Sequence, residues 1–346
     1  MAKSIDYKSA GVNIDAGNEA VKRIKSHVKS TFTSDVMTDV GSFGAMVDLK
    51  SLIAEYQNPI LVQSIDGVGT KMIVARMMNK YDTIGFDLLA AACNDIIVHG
   101  AKPITFLDYI AADKLEPDVI EAIVTGMTEA CYKVNVPLVG GETAEMPDTY
   151  LSGEHDLVGV ITGVVEKDSI ITGDSIVPGD IVLGLSSSGL HTNGYSLARK
   201  LFFDIGKFDV SSSIPDLDKS VGETLLEPHI NYINSVLALI DAGIRIHGMA
   251  HITGGGLVEN IPRILPDGCA VEIHKGSWPV LPVFEVMQSI GNVDEDEMYR
   301  TFNMGIGMVF VVDSIYVDSV RAALKDLMEV YEMGSVISGE KNVTIN

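Results

Sequence analysis

Cysteine is scarce in this chain of 346 residues: only Cys93, Cys131 and Cys269 occur. An odd number at wide spacing offers neither a disulfide framework nor a zinc pattern, and points to a reducing compartment. Tryptophan is nearly absent, Trp278 being the single one, so aliphatic residues and Met must carry the core. Positive charge is short: 25 Lys and Arg stand against 47 Asp and Glu, a net charge of -22. That balance argues against nucleic acid, whose binding relies on Lys and Arg neutralising phosphates. It argues equally against an anionic membrane surface. No apolar run approaches the roughly 20 residues that cross a bilayer; Leu157–Val165 is typical. Met1-Ala2-Lys3-Ser4-Ile5-Asp6 holds no apolar signal region. Together these absences predict a cytoplasmic protein. A small anionic substrate stays admissible, because a local site can oppose the global field.

What is present reads as globular: 47% hydrophobic and 21% charged residues, over a length that favours two domains. A helix is predicted over Asn18–Val28, where Val21, Ile24 and Val28 repeat at helical spacing. Ile60-Leu61-Val62 reads as a strand ending at an Asp66 turn, Tyr81–His99 as containing a helix, and Ile104–Tyr109 as a strand. Pro117–Lys133 reads as a helix with Pro in its first turn; Val136–Val139 and Leu157–Val165 read as strands. Turn signals and a change of composition over Glu166–Gly179 mark a linker. This gives domains of 1–168 and 174–346. Beyond it come a strand at Ile181–Leu185, helices from Gly194 and over Ile230–Ala242, and a glycine turn at His251–Gly256 with a helix from Leu257. A strand at Gly305–Val312 and a final helix at Val317–Tyr331 follow. Strands and helices mix without regular alternation, which favours an α+β fold (mixed α/β) over a doubly wound sheet.

Three blocks in the first half carry chemistry. Asp66-Gly67-Val68-Gly69-Thr70-Lys71 follows a strand. Its glycines let backbone N–H groups approach an anion, Asp66 can hold Mg²⁺, and Lys71 can place a charge on a phosphate. A plain tight turn is the alternative, but a turn requires neither Asp nor Lys. Asn94-Asp95 lies in an apolar helix, where an acid is rare without a partner; it reads as a second metal carboxylate or as a satisfied core contact. Gly140-Gly141-Glu142-Thr143-Ala144-Glu145-Met146-Pro147 follows a buried strand and reads as a loop for phosphate and metal, or as an acidic surface loop. Together the blocks suggest a metal–nucleotide site that is not a P-loop.

In the second half, Gly189-Leu190-His191-Thr192-Asn193-Gly194-Tyr195-Ser196 has Walker A spacing, but Tyr195 stands where lysine is obligatory. A helix N-terminus could still bind a phosphate there, with Ser186, Ser187, Ser188 and His191 as donors; a structural His191 is the alternative. Gly254-Gly255-Gly256, beside His251 and Thr253, is a second anion loop or a bare turn. No Gly-x-Ser-x-Gly elbow occurs.

The three blocks resemble the nucleotide half of the superfamily that includes aminoimidazole ribonucleotide synthetase, thiamine-monophosphate kinase, selenophosphate synthetase and a hydrogenase maturation protein. The stretches Tyr7–Asn18, Gly189–Ser196, Thr253–Pro262 and Glu297–Gly307 narrow the resemblance to the synthetase family and extend it over almost the whole chain. One departure is Pro228-His229-Ile230-Asn231-Tyr232, where Pro-Thr-Arg-Ile-Tyr is expected. The resemblance implies ATP-dependent closure of formylglycinamidine ribonucleotide to aminoimidazole ribonucleotide in purine synthesis. It implies Mg²⁺ on Asp66, Asp95 and Glu142, and a triphosphate cradle of Gly67, Gly69, Thr70, Lys71, Gly140 and Gly141, with Lys25 near the nucleotide. His191, Asn193 and Lys71 would serve catalysis. It also implies a homodimer whose N-terminal, ATP-binding domains share a barrel, a C-terminal α+β domain, and an active site in a cleft between domains. A catalytically silent nucleotide-binding subunit is the competing class.

Overall fold

The computed structural model describes Tyr7 and residues 10–346; Met1–Asp6, and Lys8 and Ser9 of the Tyr7–Asn18 stretch, lie outside the described residues. The chain divides into two compact units, one of Met1–Ile96 and Lys102–Glu166, the other of Ile97–Ala101 and Lys167–Asn346.

The first unit contains α1 (Ile14–Ser30), α2 (Leu49–Leu52), β1 (Pro59–Gly67), α3 (Lys71–Met78), α4 (Ile84–Ile97), β2 (Lys102–Ala112), α5 (Pro117–Lys133), β3 (Leu138–Glu145) and β4 (His155–Glu166). Asn13 caps α1, its side chain accepting from the Ala16 N–H, and the helix buries Ala20, Ile24 and Val28. Pro117 opens α5, where its missing N–H costs nothing. The four strands run in the order β1-β4-β2-β3. Only β2 and β3 are parallel; the other pairs are antiparallel.

Alternation along the strands gives this sheet two different faces. On one, Leu88 and Ile96 of α4 reach the sheet at Gly159 and Gly163. Phe106, Ile161 and Leu157 are fully buried there. On the other, Leu61 is 57% exposed and Ile65 67%.

The second unit contains β5 (Ile181–Ser186), α6 (Tyr195–Arg199), α7 (Val221–Leu225), α8 (Ile233–Asp241), β6 (Ile246–His251), α9 (Gly256–Asn260), β7 (Cys269–Ile273), α10 (Pro282–Gly291), α11 (Glu295–Thr301), β8 (Ile306–Val312), α12 (Val317–Leu324), β9 (Val330–Ser338) and β10 (Val343–Ile345). Its six-stranded sheet has the order β10-β7-β9-β5-β8-β6, with only β10 and β7 parallel. Every residue of β8 is buried, so its sequence is apolar without alternation.

Several boundaries differ from the sequence reading. The helix from Val317 stops at Leu324, and Val330–Ser338 is strand β9. His251 ends a strand instead of opening a turn. The Ile230–Ala242 helix begins at Ile233. Gly140–Glu145 is not a loop: β3 runs through both glycines and both glutamates, because each pairs with β2. No helix among the described residues is long and apolar enough to cross a membrane.

Candidate functional site

In the first unit, Asp66, Gly159, Asp108 and Gly141 stand in one register row across all four strands. Residues in such a row share a face. Asp66 is two residues from Ser64 on β1, and the Ser64 hydroxyl donates to Asp95 Oδ2 at 3.2 Å. Asp66 and Asp95 therefore both belong to the helix-covered face. Asp66 Oδ1 accepts from the Gly67 N–H at 2.7 Å, Gly69 is left-handed at φ +66°, and Thr70 precedes α3. The strand thus ends in a turn whose backbone opens beside two carboxylates.

Glu142 does not join them. It is registered with Tyr109, in the next row, and so points from the opposite face. Three ligands from one chain do not converge, and no group of three His, Cys, Asp or Glu able to hold a metal exists among the described residues. Two carboxylates still suit Mg²⁺, which usually takes one or two, with phosphate oxygens and water completing its octahedron. Glu145 is structural: it accepts from Leu115 N at 2.9 Å and from Asn13 N.

Lys71 departs from its expected role. Its side chain is wholly buried and Nζ lies 2.8 Å from Asp87 Oδ1, also buried. The ammonium is committed to α4 instead of being presented to a phosphate. Lys25 is half-exposed and lies 3.3 Å from Asp39, whose carboxyl is held below its usual range chiefly by Lys29. Asp39, Gly140 and Glu142 line an open cavity of about 860 Å³ with Ile65 and Leu107 on the outer face.

Asp108 was missed from the sequence. Burial pushes its carboxyl up to about 7. Gly141 makes room for it, since a Cβ there would fall 2.0 Å from Asp108 Oδ1. The signal was a lone acid in an apolar strand, the same signal that singled out Asp95 in its helix.

In the second unit, side-chain amides tie three loops. Asn303 accepts from the Ser187 hydroxyl at 3.0 Å and from Gly305 N at 2.9 Å, and donates to the Gly189 carbonyl at 2.8 Å. Asn260 donates to the carbonyls of Thr253, Gly254 and Gly256. Asn193 Oδ1 accepts from Gly254 N at 3.0 Å, so this residue joins two loops. His191 is fully buried in a left-handed backbone at φ +61°, and Ser188 N donates to its Nε2 at 3.3 Å. Its ring stacks on His229 at 4.0 Å between centroids. His229 Nε2 lies 3.1 Å from His251 Nε2, and His229 Nδ1 lies 3.4 Å from Thr192 Oγ1. Gly307 is needed beneath them, as a Cβ there would meet Tyr232 Oη at 2.0 Å and His191 Cε1 at 2.5 Å. The sequence places His251 beside a glycine turn and His229 in the Pro228–Tyr232 segment, but no local spacing links the two.

The architecture is a two-unit fold shared with solved structures of known proteins. The fold matches thiamine-monophosphate kinase from Stenotrophomonas maltophilia at TM-score 0.70 and 18% identity, covering 94% of this chain and 96% of the other. It matches an ATP complex of the hydrogenase maturation protein HypE at TM-score 0.66 and 18% identity, covering 94% and 90%. Family models narrow this: residues 44–165 match the AIR synthase related protein N-terminal domain, and 177–346 its C-terminal domain. The chain belongs to the AIR synthase related family. A phosphoribosylformylglycinamidine cyclo-ligase of Trichlorobacter lovleyi is 50% identical over 98% of this chain and 96% of its own length. One of the same name from Caldanaerobacter subterraneus is 49% identical over 98% and 99%.

Proposed function

We propose that this chain closes formylglycinamidine ribonucleotide to 5-aminoimidazole ribonucleotide, with ATP converted to ADP and phosphate. The observation that carries the reading is about 50% identity, over nearly the whole of both chains, to relatives named for that cyclo-ligase activity. In this reading the first unit handles ATP and dimerisation, and the second holds the ribonucleotide.

The γ-phosphate passes to the formyl oxygen, which becomes a good leaving group. The ring-closing nitrogen attacks the activated carbon, its N–H proton is lost, and phosphate departs. The protein's contribution is positioning and charge neutralisation. Backbone N–H groups of Gly69 and Thr70 would hold phosphate oxygens, with Gly67 as a close-approach position; Gly140 and Gly141 line the outer-face cavity instead. Asp66 and Asp95 would hold Mg²⁺, which neutralises polyphosphate charge. Glu142 lines the outer-face cavity, Lys25 pairs with Asp39 and Lys71 with Asp87 of α4, so this reading gives none of the three to the cradle. The loop of His191, Thr192 and Asn193 would face the ribonucleotide, with its shape set by Asn193.

The apolar outer face supports a homodimer. Leu61, Ile65 and Leu107 are exposed there, and β1 and β3 leave both margins of the sheet unpaired. Two such sheets, face to face and edge to edge, would close a barrel and bury both features.

The test is an end-point assay with formylglycinamidine ribonucleotide, ATP and Mg²⁺, detecting the aminoimidazole product as its diazotised dye. Colour that requires ATP supports the reading. Folded protein that binds Mg–ATP yet makes no dye sinks it.

A further inference from the structure

His229 stands where the family resemblance calls for threonine, and it makes three contacts at once. Its ring stacks on His191, its Nδ1 faces the Thr192 hydroxyl at 3.4 Å, and its Nε2 faces His251 Nε2 at 3.1 Å. His229 and His251 are almost wholly buried, at 4% and 6% exposure, whereas Thr192 is partly open. Two imidazole nitrogens that close can hold only one proton between them, since two N–H groups would point at each other. His191 lies against the face of His229, from the Ser187–Gly194 loop, and His251 at its edge, from β6. Tyr232, ahead of α8, lies beyond His191, and burial keeps its phenol protonated.

We propose that Thr192, His229 and His251 form a proton path that removes the proton released on ring closure, with His229 as a positioning residue that acts through Thr192. This rests on the cyclo-ligase reading and on the His191 loop facing the ribonucleotide. The N–H bond of the ring-closing nitrogen breaks, and its proton goes to Thr192 Oγ1 as the hydroxyl proton moves to His229 Nδ1. The proton on His229 Nε2 passes to His251 Nε2. Thr192 and His229 end neutral, His251 carries the positive charge, and no electrons are transferred. A titratable base is thus reached from a loop that itself bears only a hydroxyl, with the charge held away from the site. The stack on His191 fixes the tilt of the middle ring.

Two measurements on full-length wild type, His229→Gln and His251→Gln test this. The first is ¹⁵N-edited NMR of histidine-labelled protein. Wild type should show one slowly exchanging ring N–H resonance that disappears in both variants; its absence from wild type overturns the shared proton. The second is the pH dependence of kcat. Both variants should lose about tenfold or more in kcat at neutral pH, by the usual range for a lost acid–base step. KM for ATP should stay within about twofold of wild type, and the acid limb of the profile should be altered. Unchanged profiles in both variants, with wild type turning over, would overturn the path while leaving the cyclo-ligase reading intact. A wild type that makes no product fails that reading and the proton path with it. His229→Asn replaces either variant that does not fold.

Discussion

Lys71 Nζ and Asp87 Oδ1 lie 2.8 Å apart with neither side chain reaching solvent. The pair fastens the first turn of α3, directly after the Gly67–Thr70 turn, to α4. Removing one partner leaves a charge in a low-dielectric interior. Asp87→Ala is expected to cost about 3–5 kcal/mol, and the double change Lys71→Met with Asp87→Leu to recover most of that. Urea unfolding of the three proteins checks both parts. A loss under about 1 kcal/mol in Asp87→Ala would show that the pair is not buried as described.

Asp66 lies on the same strand face as Ser64, whose hydroxyl donates to Asp95. Asp66→Asn and Asp95→Asn should each raise the Mg²⁺ concentration needed for half-maximal turnover by roughly 10-fold or more, following the usual cost of lost metal-site groups. The double variant should fall well short of the product of the two effects, because they share one ion. Fully multiplicative effects would place them at separate ions.

Asp108 makes the first unit's stability depend on pH. Its unfolded carboxyl ionises near about 3.9, and its folded one near about 7. Between those values the folded chain keeps a proton that the unfolded chain has lost, so stability is untouched below about pH 4 and falls as pH rises toward 7. Asp108→Asn should remove that slope and be more stable than wild type above pH 7, by roughly 1–3 kcal/mol once partial solvation is allowed for. Thermal melts from pH 4 to 8 measure it; parallel curves for the two proteins would contradict the shift.

Ile65 is 67% exposed at the middle of the apolar outer face. Ile65→Glu should turn a dimeric wild type into a monomer of unchanged secondary structure, read by sedimentation and circular dichroism. The reason is that an unpaired charge in a buried apolar contact costs several kcal/mol. A variant that stays dimeric would place the contact elsewhere.

Much of the first unit was legible because its signals are local. The Pro117–Lys133 helix has the same ends in the sequence reading and in the structure, since Pro117 can begin a helix and Asn135, left-handed at φ +53°, ends it. The β3 glycines misled, because glycine is the usual mark of a turn, while here it clears space for the Asp108 carboxyl on the neighbouring strand. The split of Asp66 and Glu142 between faces could not be read from spacing, since it depends on which strands are neighbours and in what register. Lys71 has the motif of a phosphate ligand; its partner Asp87 lies 16 residues on, an acid in the same apolar helix as Asp95, but spacing alone does not say which cation it meets. The histidine cluster was equally hidden, its members coming from three separate segments. In the second unit, the predicted helix runs into the first two residues of β9 because Val330–Tyr331 continues the apolar period of α12.

The central place of β5 sets a timetable for synthesis. It is the first strand of its sheet to leave the ribosome, yet its two neighbours, β8 and β9, are among the last. At roughly 5–20 residues per second, the interval between Ser186 and Val312, where β8 ends, takes about 6–25 s to translate. For that time the apolar stretch Ile181–Leu185 has no partner on either side, while the first unit, closed by Glu166, already has all its strands. The nascent second unit is therefore the part of the chain most exposed to misassociation, and the part for which a holding chaperone would make the most difference to yield.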